Sequence, residues 1–200
     1  MLDTHARRYV SPVIRIIAKA FLKYNISANQ ITILAFLIGV LTGPLIYFDF
    51  PILACIFLWI SGLLDAVDGA VARMKKNITA WGTLMDITFD RIVELAVIIG
   101  LAFKYTNIRI ELLMLTSAII FSMTIFLTVG ALTEKKGEKS FYYQAGVAER
   151  TEGFILLSIM ILFNNLIVWS TIIFTILVTI TAFQRMIEAK RIFDTIDKNK

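Results

Sequence analysis

The chain has 200 residues, a formal net charge of +5, 58% hydrophobic residues and a mean hydropathy of +0.78. A soluble domain holds about 45–50% apolar residues, so this excess excludes an ordinary water-soluble domain and points to an integral membrane protein. The single histidine, His5, excludes a histidine-built metal centre and a Ser-His-Asp triad, and the single cysteine, Cys55, excludes an internal disulfide.

Taken in chain order, residues 1–26 come first. Met1 to Arg15 carries Arg7, Arg8 and Arg15 and lacks the uninterrupted apolar core of a cleavable signal peptide. Val10, Val13, Ile14, Ile17, Ala18 and Phe21 recur at three- and four-residue spacing, and Arg15, Lys19 and Lys23 share a face. The pattern predicts a basic amphipathic helix lying along the cytoplasmic interface, most simply as an anchor. Ser27 is the expected N-cap of the first span.

Six apolar stretches follow when read with a window of about 19 residues. They run from about Gln30 to Phe48, Ile52 to Ala72, Trp81 to Phe103, Ile110 to Leu132, Val147 to Phe163 and Leu166 to Phe183. The expectation is an all-α membrane protein: a six-helix transmembrane unit over 27–192 and a short cytoplasmic tail over 193–200. Seventeen lysines and arginines fall in the N-terminus, the second-to-third connection, the fourth-to-fifth connection and the C-terminus. Only Lys104 and Arg109 fall on the other side, and Arg91 lies inside a span. By the positive-inside rule both termini are cytoplasmic, in a cell (inner or plasma) membrane. The positive charge flanks spans instead of forming a basic domain, so it suits an anionic lipid face and not nucleic acid.

The second and third spans contain carboxylates where apolar residues are expected. Asp65 and Asp68 are three residues apart and Asp86 and Asp90 four apart, so each pair shares a helix face. A carboxylate at membrane depth costs about 2.5–3.5 kcal/mol on insertion scales. The two spans are joined by a short basic turn and pack antiparallel, so both pairs converge near its cytoplasmic side. Oxygen donors with no histidine or cysteine nearby suit one or two hard cations such as Mg²⁺ or Mn²⁺. Gly69 and Gly82 allow a ligand close to the backbone. Arg73, one turn beyond Gly69, can contact a phosphate or nucleotide. Together these describe a site for a metal-bound phosphate ester.

The string Asp65-x2-Asp68-Gly69-x2-Ala72-Arg73-x8-Gly82-x3-Asp86-x3-Asp90 resembles, at all eight positions, the signature of the CDP-alcohol phosphotransferase family. The resemblance implies six spans behind an interfacial helix, a polar cavity facing the cytoplasm, and a homodimer. It implies transfer of a phosphatidyl or similar substituted phosphate from a CDP-linked donor, such as CDP-diacylglycerol, to an acceptor hydroxyl, with release of CMP. Asp65, Asp68, Asp86 and Asp90 are then the metal ligands, and Asp90 is also the catalytic base. Residue spacing alone leaves Asp86 and Asp90 equal candidates for that base. By the same resemblance, Asp65, Asp68, Gly69, Ala72, Arg73 and Gly82 contact the CDP. Asn29 and Thr32, at the entry to the first span, join them, although Ala28 stands where the family often has proline.

The acceptor is read from the fifth span. Its apolar run from Phe154 to Phe163 is too short to cross a bilayer, so the polar turn Glu149-Arg150-Thr151-Glu152 reaches toward membrane depth and faces a cavity. Lys135 or Lys136 and Arg185 can close the same pocket. Such cations suit a phosphorylated acceptor; the resemblance implies inositol phosphate first, since family members that use it have a comparable basic trio, and glycerol phosphate next. Glu94 either stands behind the Asp86–Asp90 face or pairs with Arg91. Tyr142 and Tyr143 read as an interfacial aromatic belt, and Gly39 and Gly43 as a helix-packing pair. The competing reading is a cation transporter that uses the intramembrane aspartates as ligands. It leaves Arg73 and the cytoplasmic placement of the carboxylates unexplained.

Overall fold

The computed structural model describes residues 2–132 and 150–198, with the side chains of 11–132 and 150–194. The described residues are helical, without a strand. The helices are α1 (Leu2–Lys23), α2 (Ala28–Val40), α3 (Thr42–Tyr47), α4 (Pro51–Met74), α5 (Ala80–Lys104), α6 (Arg109–Leu132), α7 (Arg150–Leu162) and α8 (Ile167–Lys198). Short 3-10 turns, Thr106–Ile108 and Asn164–Leu166, lead into α6 and α8. Lys135, Lys136, Tyr142, Tyr143 and the expected start of the fifth stretch at Val147 lie outside the described residues.

Among the described residues, four segments are long and apolar enough to cross a membrane: Ala28–Tyr47, Pro51–Met74, Thr106–Leu132 and Asn164–Asp194. Helix α5 is 25 residues long but carries Asp86, Asp90, Arg91 and Glu94 in its interior, and the described part of α7 has 13 residues. Large apolar side chains point outward from these helices, among them Ile52, Ile110 and Trp169. In water such a surface would be an aggregation liability; in lipid it is the solvated face.

Three boundaries differ from the sequence expectation. The first span is broken at Leu41, because Pro44 has no N–H to offer the Val40 carbonyl and its ring clashes there. Arg150, Thr151 and Glu152 form the first turn of α7 instead of a polar turn before it. Helix α8 continues from Phe183 to Lys198, since nothing between them breaks a helix. At about 1.5 Å per residue, a helix of its length exceeds a hydrocarbon core of about 30 Å.

The reversals between helices share one device. Asn25, Asp49 and Lys76 take left-handed φ values of 58°, 67° and 51°. In each case the next N–H bonds a carbonyl five residues back, from Ile26 to Phe21, Phe50 to Leu45 and Asn77 to Ala72. This is the Schellman closure. At the start of α2, Ser27 Oγ accepts from the Gln30 N–H and Gln30 Oε1 accepts from the Ser27 N–H at 2.8 Å, a reciprocal capping box. Thr79 Oγ1 caps α5 by accepting from the Gly82 N–H at 3.0 Å.

Helix α4 is the hub and packs against α1, α2, α3 and α7. Helix α5 lies against α2 and α3, and α8 against α6 and α7. Ile14, Ile17, Ala18 and Phe21 of α1 meet Ile31 of α2 and Val67 and Val71 of α4, while Arg15, Lys19 and Lys23 stay exposed. Val13, expected on the apolar face, is 51% exposed. The glycine pair on the first span packs helices closely, as its spacing suggests. A Cβ at Gly39 would lie 2.5 Å from Val93 Cγ2, and one at Gly43 would lie 2.5 Å from the Ala96 carbonyl oxygen. Gly100 answers from α5, where a Cβ would lie 2.5 Å from the Gly43 oxygen.

Candidate active site

The five-residue connection from Lys75 to Thr79 turns the chain back and carries the carboxylates of α4 and α5 to the same end. Contrary to the sequence expectation, the two helices do not pack directly on each other, and each instead packs on α2. Asp65, Asp68 and Asp86 each present an oxygen, and these oxygens lie within 4.8 Å of one another. Asp68 is buried and the other two half-buried. Three carboxylates this close repel strongly where the dielectric is low. Their hard-oxygen chemistry fits Mg²⁺ or Mn²⁺. Asp90 is not part of this trio.

Asp90 instead faces Arg150. The Arg150 guanidinium donates from Nη2 to Asp90 Oδ1 at 2.8 Å and from Nη1 to Asp65 Oδ2. One fork from α7 thus bridges α4 and α5. The planar guanidinium supplies two donors in fixed directions, which a lysine ammonium does not. The Arg150 side chain also lies over the Phe154 ring one turn along, 5.6 Å from its centroid.

The small residues sit around this cluster. At Gly69 the space a Cβ would take is bounded by Arg73 Nη1 at 3.2 Å, so the Arg73 side chain folds back over the glycine. Arg73 is exposed at the end of α4. At Gly82 a Cβ would meet Thr79 Oγ1 at 3.1 Å and Asn29 Oδ1 at 3.3 Å, so Asn29 of α2 stands against the first turn of α5. Ala72 lies one turn after Asp68 on α4. Thr32 is buried, and its Oγ1 donates to Asp68 Oδ2 at 2.5 Å.

Arg185 reaches α6. From α8 it donates to Ser122 Oγ of α6 at 3.3 Å and lies over the Phe126 ring at 5.1 Å. Glu94 pairs with Arg91, one of the two roles open to it from sequence. Sequence reasoning passed over Phe36 and Phe89. Their rings stack at 4.2 Å and line a small cleft with Thr32, Ser61, Asp65 and Asp90. The available signal was position: Phe36 follows Thr32 by one turn, and Phe89 precedes Asp90.

Comparison with known proteins agrees with this arrangement. Residues 25–182 match the sequence profile of CDP-alcohol phosphatidyltransferases. The chain is 32% identical over 183 residues to an archaetidylinositol phosphate synthase from Pyrococcus horikoshii, covering 88% of this chain and 89% of that one. Its fold is that of a phosphatidylinositol phosphate synthase from Mycobacterium tuberculosis, solved with CDP-DAG bound, with a TM-score of 0.75, 21% identity and coverage of 89% of this chain and 94% of that one. A second structure of that protein, in complex with manganese and citrate, matches with a TM-score of 0.74 and 21% identity, over 88% of each chain. A match over this much of the chain, with the carboxylates gathered as the signature requires, shows that the chain belongs to the CDP-alcohol phosphatidyltransferase family.

Proposed function

We propose that the protein transfers a phosphatidyl-type group from a CDP-linked lipid donor to the hydroxyl of a phosphorylated acceptor, with inositol phosphate favoured and glycerol phosphate next. The observation that carries the acceptor class is the Arg150 fork, a cation held beside the reacting carboxylates with two donors spaced for phosphate oxygens. The Pyrococcus horikoshii relative is named as an inositol phosphate lipid synthase, which supports the same acceptor.

In this reading Asp65, Asp68 and Asp86 hold Mg²⁺ or Mn²⁺. Held there, an ion would supply charge neutralisation for the donor diphosphate and for the departing CMP. Asp90, outside the trio, accepts the proton of the acceptor hydroxyl. That oxygen bonds to the donor's β-phosphorus as the bond from that phosphorus to CMP breaks. Arg150 leaves its carboxylates for the acceptor phosphate and sets the hydroxyl near Asp90. Gly69, Ala72 and Gly82 keep the wall beside the trio flat enough for a nucleotide, with Asn29 at its edge. Arg73 lies within reach of the nucleotide phosphate, and Lys135 and Arg185 complete the acceptor pocket.

The same proposal includes six spans, formed by α2–α3, α4, α5, α6, α7 and α8, with α1 along the cytoplasmic interface. The seventeen-to-two distribution of basic residues supports a site on the cytoplasmic side. Residues 27–192 form the catalytic domain and 193–200 the tail. The working unit is a homodimer.

The test is CMP release by the full chain in detergent. It is supplied with CDP-diacylglycerol or its ether-linked counterpart and Mn²⁺, and with inositol phosphate, glycerol phosphate, inositol, serine and glycerol in separate reactions. Release with inositol phosphate that chelation abolishes is the expected result. Release with free inositol but not its phosphate would overturn the acceptor class. Metal-dependent cation flux into vesicles without CMP release would restore the transporter reading.

A further inference from the structure

The first helical span contributes one polar side chain to the carboxylate cluster, and its geometry differs from that of a nucleotide contact. Thr32 is 5% exposed and Asp68 4% exposed. Thr32 Oγ1 lies 2.5 Å from Asp68 Oδ2 and 3.0 Å from the Ala28 carbonyl. A hydroxyl has a single proton, and the shorter contact, to a carboxylate, takes it. One oxygen of Asp68 is therefore anchored by the hydroxyl, which restricts rotation of the carboxylate. The surroundings make this contact rigid. Ile31, adjacent to Thr32, and Val67 and Val71, on either side of Asp68, are fully buried against one another. Asn29, by contrast, stands one turn earlier against Gly82, outside this packed seam.

We infer that Thr32 is a positioning residue for the divalent cation: its hydroxyl fixes the Asp68 carboxylate so that it is held in place beside the oxygens of Asp65 and Asp86. The inference rests on the reading of that trio as the cation site. It assigns Thr32 to the cation and leaves the nucleotide edge to Asn29. Groups that orient a first ligand characteristically change metal affinity by about 10–100-fold when removed. Thr32→Val keeps the shape and removes the hydroxyl. Thr32→Ser keeps the hydroxyl and removes the methyl group. Thr32→Ala removes the hydroxyl without placing a methyl group against Asp68.

The experiment is Mn²⁺ titration of the full chain in detergent, read by the loss of the free-ion electron paramagnetic resonance signal, with no nucleotide or acceptor present. In parallel, CDP binding is measured in the presence of chelator. Thr32→Val and Thr32→Ala are expected to weaken Mn²⁺ by about 10–100-fold. Thr32→Ser is expected to stay within about threefold of the parent chain, and CDP binding without metal to stay unchanged in all three. Equal Mn²⁺ affinity in Thr32→Val, Thr32→Ala and the parent chain would overturn the inference. So would a loss of metal-free CDP binding, which would return Thr32 to the nucleotide. If Thr32→Val fails to fold, Thr32→Ala against Thr32→Ser decides alone. A parent chain that binds no Mn²⁺ would refute the cation site itself, a result distinct from either failure.

Discussion

Asp90→Asn is expected to lower turnover by about 10²–10⁴-fold, the range a positioned general base supplies, while Mn²⁺ affinity stays within about threefold. The reason is geometric. Asp65, Asp68 and Asp86 gather their oxygens within 4.8 Å, and Asp90 stands outside that group, joined to it through the Arg150 fork that also holds Asp65. Asparagine keeps the size and one acceptor oxygen but takes no proton from a hydroxyl. Asp86→Asn is the informative contrast, since it removes a member of the trio and should lose turnover and Mn²⁺ together. Single-turnover CMP formation with Mn²⁺ titration in both variants separates the roles. If Asp90→Asn lost the ion as severely as Asp86→Asn, Asp90 would be a ligand and the base would have to be sought elsewhere.

Arg150→Gln should act on the acceptor and not on the donor. A hydrogen bond to a charged group contributes about 1.5–3 kcal/mol, and about 1.4 kcal/mol is tenfold in affinity. The acceptor KM is therefore expected to rise by about 10–100-fold, with the CDP-donor KM little changed. Arg150→Lys should recover part of this, because it keeps the charge but not the fork. A second readout has the opposite sign. The guanidinium holds Asp65 through Nη1, and an ion would draw on the same carboxylate. Removing the positive charge should make Mn²⁺ bind more tightly in the absence of acceptor. An unchanged acceptor KM with tighter Mn²⁺ would reduce Arg150 to a counter-charge and leave the acceptor phosphate without its principal partner.

The parts of this site that follow helical periodicity were readable before any coordinates. Asp65 with Asp68 and Asp86 with Asp90 are local pairs, and a short basic turn between two apolar helices turns the chain back and brings the pairs to the same end. The glycine pair was legible for the same reason, as spacing on one helix face. What was not legible is the long-range partnership. Arg150 pairs across 85 residues to Asp65 and 60 to Asp90. Its short span drew attention to it, but as an acceptor contact; nothing local pointed to the carboxylates. Thr32 is a nucleotide contact by the family resemblance, and its bond to Asp68 comes from the packing of α2 on α4, which no local pattern shows. The contacts of Arg185 with Ser122 and Phe126 are likewise long-range and have no local signal. The break at Leu41 was open to reading from Pro44, but an unbroken run of hydropathy masked it.

The fork from α7 has a consequence for how far the signature can stand by itself. All eight signature positions lie between 65 and 90, a single helical hairpin that reads as a portable cassette. Its charges are matched from outside that hairpin. Arg150 arrives from the second half of the chain and Thr32 from the first. A chimera that grafted only this hairpin into an unrelated bundle would carry all four signature acids but neither the guanidinium nor the hydroxyl that accompany them.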